Sequence, residues 1–274
     1  MLYFILNINY QKIPSFNNIL QKLNIEVVFI QDFLLAPIDF HQSPSQHRMP
    51  QIIECKEPLI KVQQEPNRLY IKPIYFQQNI PSSINSIYLR EGVYLRLKKA
   101  LDLLPSQYSF ILFDGFRPFQ VQKALFDLFY STIKTNNKEF TDDEIFQETL
   151  KYVAFPSMNP LKTSPHITGG AIDLTLGDEN GNELDLGTKF DEMSEKSATK
   201  YFENHPEENA EALRNRRILY NCLTKVGFKN YSEEWWHYDF GNISWARRAK
   251  ENIVPYGPII AEIENNDVKE YRFL

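Results

Sequence analysis

Cysteine is almost missing from this chain, with only Cys55 and Cys222 in 274 residues. The two lie far apart and outside any metal-ligand spacing, so a disulfide scaffold is not expected. Both are read as free thiols, with Cys222 buried inside a helical pattern. No apolar run reaches the roughly 18 residues that a spanning helix needs. The opening Leu2-Tyr3-Phe4-Ile5-Leu6 has no positive segment before it, meets Asn7, Asn9, Gln11 and Lys12 directly afterwards, and is followed by no small-residue cleavage site. That pattern argues against a cleaved leader. Long acidic or basic runs are also lacking, and a net charge of −5 spread along the chain points away from nucleic acid and from an anionic membrane surface as partners. No internal repeat or low-complexity tract is present. What remains open is a small polar substrate, in a setting that suits a reducing cytoplasm and is compatible with a periplasm.

With 43% hydrophobic and 14% aromatic residues, the chain can bury a substantial core. The organisation expected is an N-terminal extension over residues 1–50 and one catalytic domain over 51–274. The extension mixes apolar runs such as Val27-Val28-Phe29-Ile30 with the polar stretch from His41 to His47, which reads as linker. Met49 follows, and one expectation is that the working protein begins there. His41 and His47 are not read as metal ligands, and the sequence carries no signal for an oligomeric state.

Residues 57–85 read as extended and edge structure, with Leu69-Tyr70-Ile71 and Ile74-Tyr75-Phe76 set between prolines. Apolar spacing predicts a helix from Glu91 to Leu104, ended by Pro105. The dense run Tyr108–Phe113 is of strand length and is expected to be buried on both faces. After Asp114-Gly115-Phe116-Arg117-Pro118, a helix with Val121, Ala124, Leu125, Leu128 and Phe129 on one face is expected. Another helix should span roughly Asp142–Val153, and a strand Ala171–Leu176, turning at Asp178-Glu179-Asn180-Gly181. Loop or short helix covers Glu192–Pro206. Asn209–Val226 reads as a helix stopped by Gly227, and Trp236–Phe240 as a strand beside Ala171–Leu176. The fold class is α+β, a mostly antiparallel central sheet with helices packed on it.

Two segments carry chemistry. In Ser164-Pro165-His166-Ile167-Thr168-Gly169-Gly170-Ala171-Ile172-Asp173, the Gly-Gly pair lets the chain turn from loop into strand. A loop histidine and a strand aspartate can then converge on one ion. In Glu234-Trp235-Trp236-His237, the glutamate and histidine are three apart, near one side of a turn, and the tryptophans can wall the site against water. Catalytic zinc takes three protein ligands and keeps one place for water or substrate, and His166, Asp173 and His237 supply those three. Each histidine alone also fits a satisfied core role, and Asp173 could bind backbone at a strand end. A carboxylate in the apolar run Ala-Ile-Asp-Leu-Thr-Leu, however, needs a strong partner to offset desolvation. The pattern implies one zinc per chain, with Glu234 beside it as base.

Together the segments SPHITGGAIDLTL, EEWWHYDF and FDGFRP resemble the zinc D-alanyl-D-alanine dipeptidases, within the wider group of zinc D,D-peptidases. The resemblance covers about residues 57 to 250, and the piece Lys189-Phe190-Asp191-Glu192-Met193-Ser194-Glu195 belongs to it. It implies a zinc D,D-peptidase-like fold and hydrolysis of D-alanyl-D-alanine or a related D,D-dipeptide by metal-activated water. It implies Glu234, rather than Glu233, as the general base. For Arg117 it implies support of the oxyanion, beside a purely structural ion pair with Asp114. It implies that Ser164, otherwise a turn residue, binds the carboxy end of the substrate, and that Asp191 contacts the free amino group. Phe116 departs from the tyrosine common at that place. Two other functions stay in play: a peptidoglycan D,D- or L,D-carboxypeptidase, and a non-catalytic zinc-bearing binding module.

Overall fold

The computed structural model describes residues 32–40 and 49–274. The apolar run at 27–30, the polar stretch at 41–47 and both of its histidines lie outside the described residues. Five strands form the sheet that carries the site: β1 (Leu69–Ile71), β2 (Tyr108–Asp114), β3 (Ala171–Asp178), β4 (Lys229–Asn230) and β5 (His237–Asp239). Their order across the sheet is β1-β2-β3-β5-β4, with β1 and β2 parallel and every other pairing antiparallel. The mixture of this sheet with non-alternating helices is the α+β arrangement expected.

Strand alternation divides the chemistry from the core, because successive side chains point to opposite faces. Ile172, Leu174 and Leu176 of β3, with Phe110 and Leu112 of β2 and Tyr238 of β5, face one layer of the core. Two helices cover that face, α1 (Glu91–Leu103) through Val93, Leu97, Ala100 and Leu101, and α4 (Ala210–Lys225) through Ile218, Leu219, Cys222 and Leu223. Cys222 is buried there, its thiol donating to the Ala100 carbonyl at 3.0 Å, and Cys55 is exposed and free. Asn209 caps α4 by accepting from the Ala212 amide, as its residue type favours. The opposite sheet face carries Asp173 and His237, which are direct cross-strand partners.

Two further helices, α2 (Phe119–Asn136) and α3 (Asp142–Thr149), close the cleft side around Tyr75, Val121, Leu125, Phe126 and Val153. A capping box between Thr141 and Glu144 starts α3. The helix is shorter than its apolar pattern suggests, giving way to turns and irregular chain after Thr149. On α2 the buried stripe runs through Val121, Gln122, Leu125, Phe126 and Ile133, and Leu128, expected inside, is half exposed. The segment Ile74–Gln77, expected to be extended, is a four-residue helix. The expected turn is present, with the Asp178 carboxylate accepting from the amides of Asn180 and Asn182 and a short antiparallel return at Gly177 and Glu183.

At the C-terminal end, β6 (Ile259–Glu264) and β7 (Asp267–Phe273) form a hairpin over Leu59, Tyr88 and Phe116. Phe116 is thus buried under this hairpin and does not line the cleft. Residues 32–40 lie along α4. Leu34 enters the main core, and Asn221 donates to the carbonyls of Leu34 at 3.1 Å and Ala36 at 2.8 Å. Among the described residues no helix is long and apolar enough to cross a membrane.

Candidate metal centre and cleft

The β2–β3 pairing slips by one residue between Leu112 and Asp114, so that Asp114, Asp173 and His237 stand side by side across three strands. A bulge of this kind re-aims side chains at the edge of regular pairing. The third metal-type residue, His166, sits on a single 3₁₀ turn, Pro165–Thr168. Gly169 ends that turn at φ +69°, a conformation that disfavours any side chain, and at Gly170 a Cβ would stand 2.6 Å from the Phe240 carbonyl oxygen. The two glycines thus serve different needs: one reverses the chain, the other lets β5 approach.

The result is a compact set of donors. His237 Nδ1 lies 3.0 Å from Asp173 Oδ1, His166 Nε2 lies 3.3 Å from Asp173 Oδ2, and the two ring nitrogens are 3.2 Å apart. All three residues are buried. The donor chemistry and spacing fit zinc, since four tetrahedral ligands at about 2.0–2.1 Å from an ion stand roughly 3.3 Å from one another. The imidazoles present opposite nitrogens and are anchored from behind: His166 Nδ1 is 2.8 Å from the Gly115 carbonyl, and His237 Nε2 is 3.2 Å from Asp239 Oδ1. Burial disfavours the charge of Asp173, but His166 and then His237 outweigh it and hold this carboxyl well below its usual range.

These residues floor a cleft of about 270 Å³ that Arg117, Ser164, Asp191 and Glu234 also line. All seven side chains singled out in the sequence therefore meet in one cavity. Arg117 is buried and tightly held: Nε donates to Asp114 Oδ2 at 2.8 Å and Nη1 to Gln122 Oε1 at 2.8 Å, while Nη2 lies 3.6 Å from Asp173 Oδ2. The ion pair with Asp114 and a place in the cleft are both realised. Burial pushes the Glu234 carboxyl above its ordinary pKa, against the pull of His237. Glu233 is exposed and accepts from Ser232 instead. Of the two tryptophans expected to wall the site, Trp236 lines the cleft. Trp235 is buried elsewhere, its ring N–H donating to Thr188.

Tyr75 and Asp239 carry no role in the sequence analysis, and both belong to the site. Tyr75 donates to Asp191 Oδ2 at 2.9 Å and receives Arg117 Nη2 at 3.3 Å, joining two walls of the cleft. Asp191 sits at φ +58°, and burial followed by the nearby charge of Asp173 raises its carboxyl to a pKa of about 7. Asp239, with no exposed surface, is held at about 2, because His237 and Arg248 overcome the effect of burial. Only Asp239 had a legible signal, two residues beyond His237 and so on the same strand face.

A family model described as D-ala-D-ala dipeptidase, of the peptidase M15 group, matches residues 83–255. A D-alanyl-D-alanine dipeptidase of Synechocystis sp. is 30% identical over 214 residues, which is 71% of this chain and 86% of that protein. One from Escherichia coli is 49% identical over 76 residues, 28% of this chain and 37% of its own length. Among solved structures, the chain is similar to VanYB in complex with D-alanine-D-alanine at a TM-score of 0.37 and 18% identity, over 61% of this chain and 81% of that one. That likeness is too distant to bear on the site.

Proposed function

The chain belongs to the peptidase M15 family of D-ala-D-ala dipeptidases, and from that premise we propose that its cleft hydrolyses a free D,D-dipeptide, D-alanyl-D-alanine foremost, with one zinc ion held by His166, Asp173 and His237. The observation that carries this reading is the convergence of those three donors, all within 4.8 Å of one another, on a cleft that Glu234 and Arg117 also line. Zinc bound there supplies a Lewis acid for the scissile carbonyl and makes a water acidic enough to be deprotonated near neutral pH. Glu234 takes that proton and returns it to the departing amine, a role its raised pKa suits. The Arg117 guanidinium, fixed by Asp114 and Gln122, meets the negative charge that grows on the carbonyl oxygen. Ser164 contacts the carboxy end of the substrate.

Asp191 makes the enzyme a dipeptidase. A buried carboxylate that awaits an ammonium penalises any substrate whose amino group is already acylated, since its charge is then left unpaired. We assign residues 51–274 to the catalytic domain and place the protein in the cytoplasm, which the free thiols Cys55 and Cys222 support. The test is a substrate panel of D-alanyl-D-alanine, its N-acetyl form and a stem pentapeptide, each with and without a zinc chelator. The free dipeptide is expected to be cleaved fastest and the chelator to stop it. Preference for the pentapeptide would make the chain a carboxypeptidase, and activity indifferent to chelation would remove zinc from the account.

A further inference from the structure

The back of the metal centre holds a charged side chain that the mechanism above does not use. Asp239 is fully buried and lies two residues along β5 from His237, on the same face. Its Oδ1 is 3.2 Å from His237 Nε2 and accepts from Asn242 Nδ2 at 2.7 Å, and its Oδ2 pairs with Arg248. Asn242 also donates to the Gly170 carbonyl at 3.1 Å, so this node touches both chain segments that bear metal-type residues. Arg248 reaches the cleft from behind, its guanidinium 5.2 Å from the centre of the Tyr231 ring, and both residues line the cavity.

His237 faces the cluster with Nδ1, and this makes its ring orientation critical. A half-turn about the bond from Cβ to the ring exchanges Nδ1 with a carbon and removes the donor, while the shape of the side chain hardly changes. Packing alone discriminates poorly between the two orientations. A carboxylate on Nε2 discriminates well, because the flipped ring would present a carbon to a buried charge. His166 meets the same requirement chiefly with the Gly115 carbonyl at 2.8 Å, which no substitution removes, and Asp114 Oδ2 lies farther off at 3.3 Å. On β5 the task falls to a side chain, and a side chain has to be held in turn.

We propose that Asp239 is the positioning residue for His237 as a zinc ligand, and that Arg248 acts on the metal through Asp239 by holding that carboxylate in place. The inference rests on the zinc reading above. It is tested by titrating zinc into the full chain against a chelator of known affinity, for the wild type, Asp239→Asn, Arg248→Met, Arg248→Lys and the Asp239→Asn/Arg248→Met double variant. Outer partners of this kind are worth roughly 10- to 100-fold in metal affinity, and Asp239→Asn is expected to lose that much. Arg248→Met should lose less, and Arg248→Lys should recover part of that loss. The double variant should match Asp239→Asn within about twofold, because residues acting in series do not add. With zinc in excess, the kcat of Asp239→Asn should fall far less than its affinity does, which a general loosening of the fold would not produce. A wild-type chain that binds no zinc overturns the zinc reading and this inference with it. Wild-type binding beside unchanged binding in Asp239→Asn overturns this inference alone, and additive losses in the double variant overturn the series from Arg248 through Asp239.

Discussion

The two walls of the cleft are built on different principles. On the metal wall, the backbone ladder between β3 and β5 places Asp173 and His237, the carbonyl of Gly115 holds the ring of His166, and side-chain support is confined to the rear, where Asp239 and Arg248 back the ring of His237. On the facing wall, Tyr75 rides on a four-residue helix, Asp191 on irregular chain at positive φ, and side-chain hydrogen bonds join them to Arg117. A ladder keeps its geometry when one side chain is changed. A side-chain network does not, and its members respond together. The metal wall should therefore yield variants that lose one function cleanly, and the substrate wall variants that shift specificity.

Glu234→Ala is the strongest test of the first half of that comparison. Glu234 is not among the clustered donors, so its loss should leave zinc content near one per chain. Turnover should fall by about 10²- to 10⁴-fold, the usual worth of a positioned proton-transfer group. Metal analysis beside steady-state kinetics checks both. A variant that loses its zinc would show that the base and the metal wall are not separable, and one that keeps its activity would reject Glu234 as the base.

On the facing wall, Asp191→Asn removes a charge and keeps the shape. Truncating one member of a buried charge pair costs about 2–5 kcal/mol, so the ratio of kcat/KM for free over N-acetyl dipeptide should drop at least about 30-fold. The pH dependence sharpens the point. The Asp191 carboxyl is raised to about 7, so it is neutral below that pH and cannot pair with an ammonium. In the wild type the ratio should fall as pH drops through about 7, whereas in Asp191→Asn it should stay flat. Taking the ratio removes the titration of Glu234, which acts on both substrates alike.

The same contrast explains what could be read in the sequence. His166, Asp173 and His237 were legible because each lies in a segment whose local pattern dictates its form: a Gly-Gly turn into an apolar strand, and a second strand, Trp236–Phe240, expected beside the first. The helices from Glu91 and from Ala210 were legible for a similar reason, through apolar spacing and the stops at Pro105 and Gly227. Tyr75 was not, because its partner Asp191 is 116 residues away and no local periodicity encodes such a pairing. Gln122 was missed because its polar amide is buried to bridge Arg117 and the Ala154 carbonyl, and a helix face is read from apolar residues alone. Phe116 marks the opposite case. It stands out in the sequence as a departure from the motif's common tyrosine, and the C-terminal hairpin shows it to be core.

The smallest effect on catalysis is expected far from both walls, where residues 32–40 lie on α4. Asn221 bonds two carbonyls of that segment, Ile38 donates its amide to Glu203 at 2.9 Å, and Glu203 is itself held by Arg217 at 2.7 Å. We therefore treat this segment as a strap on the catalytic domain, although it lies within the N-terminal extension expected over residues 1–50. Asn221→Ala leaves two backbone carbonyls without their donor, a loss of about 1–3 kcal/mol for buried groups, while kcat/KM should stay unchanged because no residue of the strap lines the cleft. Thermal unfolding beside kinetics measures both. A chain begun at Met49 loses the same bonds together with Leu34, so it should be the less stable of the two. Should that shortened chain prove as stable as the full one, the strap contributes nothing to the fold and the domain does begin near residue 50. If instead Asn221→Ala lowers kcat/KM, then α4, which packs behind β3 and β5, transmits strain to the metal wall, and the ladder is less rigid than its register implies.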